Sequence, residues 1–447
     1  MAKIVPFRAL RYNLTRIAEP RLVMAPPYDV ISPALQDDLY NRHPFNVVRL
    51  ILGKTGPEDS EANNRYTRAA AEFQLWQQDG VLVREAQPAL YLYDQQYDLE
   101  DGATVVRSGF MALTRIEDFS SGVVKPHEKT LSGPKTDRLQ LTKACGANFS
   151  PIFSLYSDPS CALQSLTRKV REERPEIDVT DDDGVVHRLW AVADPDLIKK
   201  AHDLLENKPL FIADGHHRYE TAINYRNLMR EKHPKYGGKE LFNYVLMYFA
   251  NMEDRGMLIF PTHRLVFNLP DLQLDAFLGS LEGVFSVESH PVETDDAGRR
   301  QEVRRLLKEK GKERRTLVLY AGGKTVHFLS LRDETVMDRF FDPKSPKALR
   351  TLDVSILHKL ILEELLHIST EAQEQQTHLK YVKSFDEAFA AVDRGDCQLA
   401  FLMNSTRMNE VRDVANAGEK MPQKSTYFYP KLLSGLVINR IVEGETV

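Results

Sequence analysis

Residues 211–222, FIADGHHRYETA, carry three apolar residues straight into an acid, a glycine, two histidines and an arginine. The apolar run predicts a buried strand, and the periodicity that follows predicts a helix from about His217 to Lys232. A strand turning at a glycine into a helix exposes the first helical N–H groups, which are unpaired and partly positive and so favour phosphate. Gly215 lets the chain approach such a ligand closely. Arg218, on the first turn, offers a fork of donors, while His216 and His217 can hydrogen-bond or transfer protons. Asp214 would repel a polyphosphate unless Mg²⁺ bridges the two or the acid takes the proton of an attacking hydroxyl. The same residues also fit an ordinary N-cap, a tight turn and a satisfied polar helix start, so the motif has to be weighed with the rest of the chain.

Working outward, a helix is predicted from Asp194-Pro195, with Ile198, Ala201, Leu204 and Leu205 on one face. SPIFSLYSD (150–158), YVLMYFANM (244–252), GMLIFPTHRLVFN (256–268) and CQLAFLMNS (397–405) read as strands. Two hairpins are expected, one around Asp101-Gly102 and one, TLVLYAGGKTVHFLSL (316–331), turned by Gly322-Gly323. Residues 64–79 place Ala69, Phe73 and Trp76 at helical spacing, and 299–315 form a charged amphipathic helix. Residues 125–138, rich in charge around Ser132-Gly133-Pro134, read as an ordered functional loop or lid. The expected class is α+β or mixed α/β, multi-domain, with mixed sheets. The expected regions are an N-terminal α/β domain over 1–118, a central nucleotide-binding region over 119–268, and a C-terminal α+β domain over 269–447 whose loop 421–431 returns to the site.

Composition narrows the function. At 447 residues the chain exceeds what one core organises. Its 59 basic and 64 acidic residues leave a net charge of −5, so no positive field is available for non-specific nucleic-acid binding. Cys145, Cys161 and Cys397 are far apart, with no CxxC pair, and neither a secretory leader nor an 18-residue apolar run is found. A cytoplasmic protein without membrane or nucleic-acid partners is expected.

Four further clusters share the chemistry of residues 214–218. The 125–138 stretch supplies His127, Glu128, Lys129 and Arg138; PTHR supplies His263 and Arg264; PQKST supplies Lys424, Ser425 and Thr426, with Lys431 following; APPYD supplies Tyr28 and Asp29. Taken singly, each also reads as a cap, a surface loop or a solvated tail; together they form the inventory of a phosphate-handling site. There is no HExxH, Walker A loop, kinase glycine loop, GxGxxG or GxSxG, which excludes the common zinc, nucleotide and serine-hydrolase motifs.

ADGHHRYETA resembles the strand-turn-helix signature of the ParB/sulfiredoxin-like superfamily, and within it the free-serine kinases, with Asp214, Gly215, His216, His217 and Arg218 matching position by position. PFRALRYN, APPYDVIS, PHEKTLSGPKTDRL, PTHRLV and MPQKSTYFYPKL extend a resemblance, nearly end to end, to a bacterial and archaeal family labelled ParB-like. There is no helix-turn-helix to suggest DNA partitioning, and His216 stands where a sulfiredoxin carries its reactive cysteine. The resemblance implies a phosphotransferase using ATP or ADP and Mg²⁺ on a small hydroxyl metabolite, L-serine first. Asp214, Glu128 and His217 would be catalytic, with Asp214 also the metal ligand. Gly215, His216, His217, Arg218, Lys129, Arg138, His263, Arg264, Lys424, Ser425 and Thr426 would bind phosphate, and Tyr28, Asp29 and His127 the substrate. A nucleotide-sensing regulator and a phosphomonoester hydrolase remain as alternatives, and a homodimer is left open.

Overall fold

The computed structural model describes residues 1–99, 102–128, 130, 132–292 and 297–447. The fold is mixed α/β with several sheets, as expected, and the chain divides into two compact units. One comprises Met1–Pro126, Thr130–Leu258 and Pro430–Val447; the other comprises His127–Lys129 and Ile259–Tyr429.

The first unit is built on a nine-stranded mixed sheet. Its order is Val124–Lys125, Leu210–Asp214, Ile152–Tyr156, Tyr244–Asn251, Thr104–Arg115, Leu90–Asp98, Val186–Val192 and Ile177–Thr180, with Ile4–Val5 added alongside Thr104–Arg115. Tyr244–Asn251 runs parallel to Ile152–Tyr156 and antiparallel to Thr104–Arg115, and all eight of its residues are buried. Such a strand is covered on both faces, which is why it reads as an unbroken apolar run. One face packs Leu92, Phe110, Met247 and Phe249 against helices that contribute Leu163, Ala201, Leu205 and Tyr219. Over the other face runs the C-terminal segment. The Gln95 amide donates to the Lys431 carbonyl at 2.8 Å, buried Arg107 to the Pro430 carbonyl at 2.5 Å, and Leu10 and Ile438 exchange backbone hydrogen bonds at 2.9 Å.

Local signals hold here. Pro195–Leu205 begins at Asp194, whose side chain accepts from the Asp196 amide, and buries Leu197, Ala201 and Leu205. Arg65–Gln78 begins at an Asn64–Thr67 capping box and buries Ala69, Phe73 and Trp76. One expectation is corrected: the stretch read as a loop or lid contains a helix, Ser132–Cys145. Gly133 and Pro134 lie in its first turn, where proline lacks only an N–H that would be unpaired anyway. Among the anticipated hairpins, Leu90–Asp98 pairs antiparallel with Thr104–Arg115; Asp101 itself lies outside the described residues.

The second unit carries an antiparallel six-stranded sheet in the order Phe285–Pro291, Thr325–Leu331, Thr316–Tyr320, Leu399–Leu402, His263–Val266 and Leu379–Val382. Leu307, Phe385 and Phe389 pack on Val318, Phe328 and Leu402. A π-helical stretch, Ile356–Leu365, buries Leu357, Leu360 and Ile361 and is closed by the Leu366 N–H on the Ile361 carbonyl at 2.9 Å. Among the described residues no helix is long and apolar enough to cross a membrane.

Gly109 marks a close crossing in the first sheet. A Cβ there would lie 2.4 Å from both the Phe249 carbonyl oxygen and the Tyr248 ring. Gly109→Ala has to displace a central strand and is expected to destabilise the protein by about 3 kcal/mol in urea unfolding.

Candidate functional site

The strand Leu210–Asp214 ends in a break of register. Opposite Ile152–Tyr156 its pairing shifts between Ile212 and Asp214, a bulge that re-aims the Asp214 side chain. Gly215 follows at φ 89° and ψ 30°, a left-handed conformation that a glycine adopts without strain, and the helix His216–Lys232 starts at the next residue. A Cβ on Gly215 would lie 2.8 Å from the Arg218 Nε, so glycine is also what lets the guanidinium fold back over the turn.

That folding back gives the site its electrostatics. Arg218 Nη2 donates to Asp214 Oδ2 at 2.5 Å, and Lys431 Nζ donates to Asp214 Oδ1 at 2.6 Å. Arg218 Nη1 also donates to the Pro151 carbonyl. Burial alone would raise the Asp214 carboxyl; Lys431 and Arg218 outweigh it and hold the group far below the usual carboxylate range. Arg218 and Lys431 side chains are each 13% exposed, so the triad is shielded while its outer edge reaches solvent. His216 is buried at the helix start, and His217 and Arg218 are half-buried on the first turn.

Tyr28 and Arg138 stand in the same unit. The Arg138 guanidinium lies 3.9 Å from the centre of the Tyr28 ring and donates to the Ile51 carbonyl at 2.7 Å. Its partner Asp137 also accepts from Tyr66 at 2.7 Å and from Arg65. Burial pushes the Tyr28 phenol up to about 12, so it stays protonated at neutral pH. Tyr28, Arg138, Ser150 and Arg218 line a hollow of about 50 Å³. Asp29, beside Tyr28, is exposed. At the helix flank, Glu220 accepts from the Thr130 hydroxyl and from Lys135, each at 2.9 Å.

The remaining expected residues belong to the second unit, where most of their donors face protein. His127 is fully buried with its Nε2 2.9 Å from the Thr426 hydroxyl, and Glu128 accepts the Lys424 amide at 2.6 Å. Ser425 donates to the Pro422 carbonyl at 2.6 Å. Arg264, 1% exposed, donates to His358 at 3.2 Å and to the Lys424 carbonyl at 3.1 Å; burial lowers its pKa to about 10, which keeps it charged. Burial, with Arg264 and Arg304 beside it, takes His263 down to about 3, and its Nδ1 accepts the Met403 amide. It is therefore a neutral imidazole at neutral pH. Lys129 lies outside the described residues.

Asp214 was expected to hold Mg²⁺, but both its oxygens already carry cationic donors, and an ammonium and a guanidinium at that range repel a divalent ion. The residues present do not fit a metal at this carboxylate, and no step is assigned to one. Among the described residues no group of three or more His, Cys, Asp or Glu side chains is placed to hold a metal ion. In the sequence Lys431 stands out only by its place after the PQKST motif, and nothing there pairs it with Asp214, 217 positions away.

The chain belongs to the family described as "Protein of unknown function (DUF1015)", which matches residues 4–355. No curated protein matches it. Solved structures with some likeness include a conserved hypothetical protein from Pyrococcus furiosus, 13% identical over 68% of this chain and 87% of that one, at a TM-score of 0.32. A free serine kinase in complex with AMP is 12% identical over 68% and 83%, at 0.33. C-terminally truncated SbnI from Staphylococcus aureus is 10% identical over 73% and 86%, at 0.34. Likenesses at these scores carry nothing across to the site.

Asp214→Asn leaves two shielded cations without their counter-charge and is expected to destabilise the protein by about 3–5 kcal/mol at pH 7. Because the native carboxyl is depressed, this contribution is complete above the unfolded value of about 4 and fades as pH falls below it. Urea unfolding of both proteins from pH 7 to pH 3 checks this, and a gap that closes well above pH 4 contradicts it.

Proposed function

We propose that the first unit binds nucleotide phosphates in front of the helix His216–Lys232, and that the protein is a cytosolic phosphotransferase of the ParB/sulfiredoxin-like, free-serine-kinase type. It would move a phosphoryl group from ATP or ADP to the hydroxyl of a small metabolite, with L-serine the first acceptor to test. The observation that carries this reading is the Asp214–Arg218–Lys431 triad at a helix N-terminus. A guanidinium and an ammonium are held at the first turn of the helix, and the guanidinium also lines a hollow with Tyr28 and Arg138.

Phosphoryl transfer asks mainly for positioning and charge neutralisation. The first-turn amides, Arg218 and Lys431 supply these for the donor. Asp214, ionised and engaged on both oxygens, is too weak a base to accept a proton and serves as the anchor that orients the two cations. The half-buried His217 then takes the proton as the acceptor oxygen bonds to phosphorus and the donor's bridging oxygen leaves. Tyr28 and Asp29 flank the acceptor.

A nucleotide sensor without fast turnover is the second reading, favoured by that same engagement of Asp214, which removes the carboxylate best placed to act as a base. Incubating the protein with radiolabelled ATP or ADP and a pool of hydroxyl metabolites including L-serine separates the outcomes. Labelled metabolite supports transfer, free phosphate identifies a hydrolase, and bound but unconverted nucleotide identifies a sensor. Arg218→Ala is expected to weaken ADP binding by about 1.5–3 kcal/mol in calorimetry; unchanged affinity removes Arg218 from the site.

A further inference from the structure

The second unit contains a cavity of about 260 Å³ whose wall is formed in part by the π-helical stretch. Such stretches are rare and concentrate at functional positions. The buried polar groups along that wall are satisfied, with one exception. Glu363 accepts from Lys359 at 2.8 Å and from Thr370 at 3.0 Å, Gln373 donates to the Ile368 carbonyl at 3.0 Å, and His358 accepts from Arg264 at 3.2 Å. Ser355 is the exception: it lines the cavity at 1% exposure, and its hydroxyl has no hydrogen-bond partner. A buried hydroxyl without a partner is costly, and a ligand group arriving from the cavity would satisfy it.

Charge and shape narrow the ligand. Phe341, Leu349 and Tyr381 give the cavity apolar walls. Of the lining lysines, Lys359 is neutralised by Glu363, and Lys420 has an interaction of its own. Glu374, which is exposed, and Glu419, which is half-buried, also line the cavity. Three carboxylates against two ammonium groups, beside apolar walls, favour a cation with a hydrophobic body.

We infer that this cavity binds a small organic cation: a primary amine on a compact apolar body, with one further polar group that hydrogen-bonds to Ser355. The inference is independent of the phosphate chemistry proposed for the first unit.

Three probes test it on the full chain by calorimetry. Tyramine has the amine, the ring and a hydroxyl; phenethylamine lacks the hydroxyl; 4-hydroxyphenylacetate has a carboxylate in place of the amine. Tyramine is expected to bind at least tenfold more tightly than either of the others. Ser355→Ala, which removes no hydrogen bond from the protein, is expected to keep the wild-type Tm, weaken tyramine about tenfold and leave phenethylamine unchanged. Glu374→Gln with Glu419→Gln is expected to erase the preference for tyramine over the carboxylate. Absence of tyramine binding, equal binding of tyramine and 4-hydroxyphenylacetate, or tyramine affinity unmoved by Ser355→Ala overturns the proposal.

Discussion

A carboxylate with a cation on each oxygen sits where the strand Leu210–Asp214 becomes a helix, and much of the first unit is arranged to keep it there. Removing Asp214 from water would by itself favour its neutral form; the nearby ammonium and guanidinium reverse that preference. Each partner requires something of the fold. Arg218 can reach back only because position 215 has no Cβ, and Lys431 arrives only because the C-terminal segment is pinned to the sheet through Gln95, Arg107 and the Leu10–Ile438 hydrogen bonds.

The polar residues of the second unit show a different balance. His127, His263 and Arg264 are as buried as core hydrophobes, and their hydrogen bonds turn inward to Thr426, Met403, His358 and Lys424. Burial keeps His263 neutral, while Arg264, too strong a base to be neutralised, is accommodated by carbonyl and imidazole acceptors and by the Tyr381 ring 5.1 Å away. Residue types that suit phosphate binding at a surface suit equally well a dense internal network, and composition alone does not tell the two apart.

Much of the framework was legible in the sequence because its signals are local. Tyr244–Asn251, the 316–331 hairpin and the capped helices Arg65–Gln78 and Pro195–Leu205 follow from runs, turns and caps within a dozen residues. The helix Ser132–Cys145 was not legible, because Asp137 and Arg138 are held by ion pairs and carbonyls rather than by an apolar stripe, so no hydrophobic period marks it. The Asp214 turn was legible as a charged strand-to-helix junction. Its pairing with Lys431 was not, since that contact is set by how the chain end crosses the sheet.

The central claim is that this ion-paired turn presents its amides and cations to a phosphate. A crystal structure of the protein with AMP tests it most directly. The account predicts the phosphate within hydrogen-bonding distance of the His217 and Arg218 backbone amides and of Lys431 Nζ; AMP bound with its phosphate away from that helix start would contradict it.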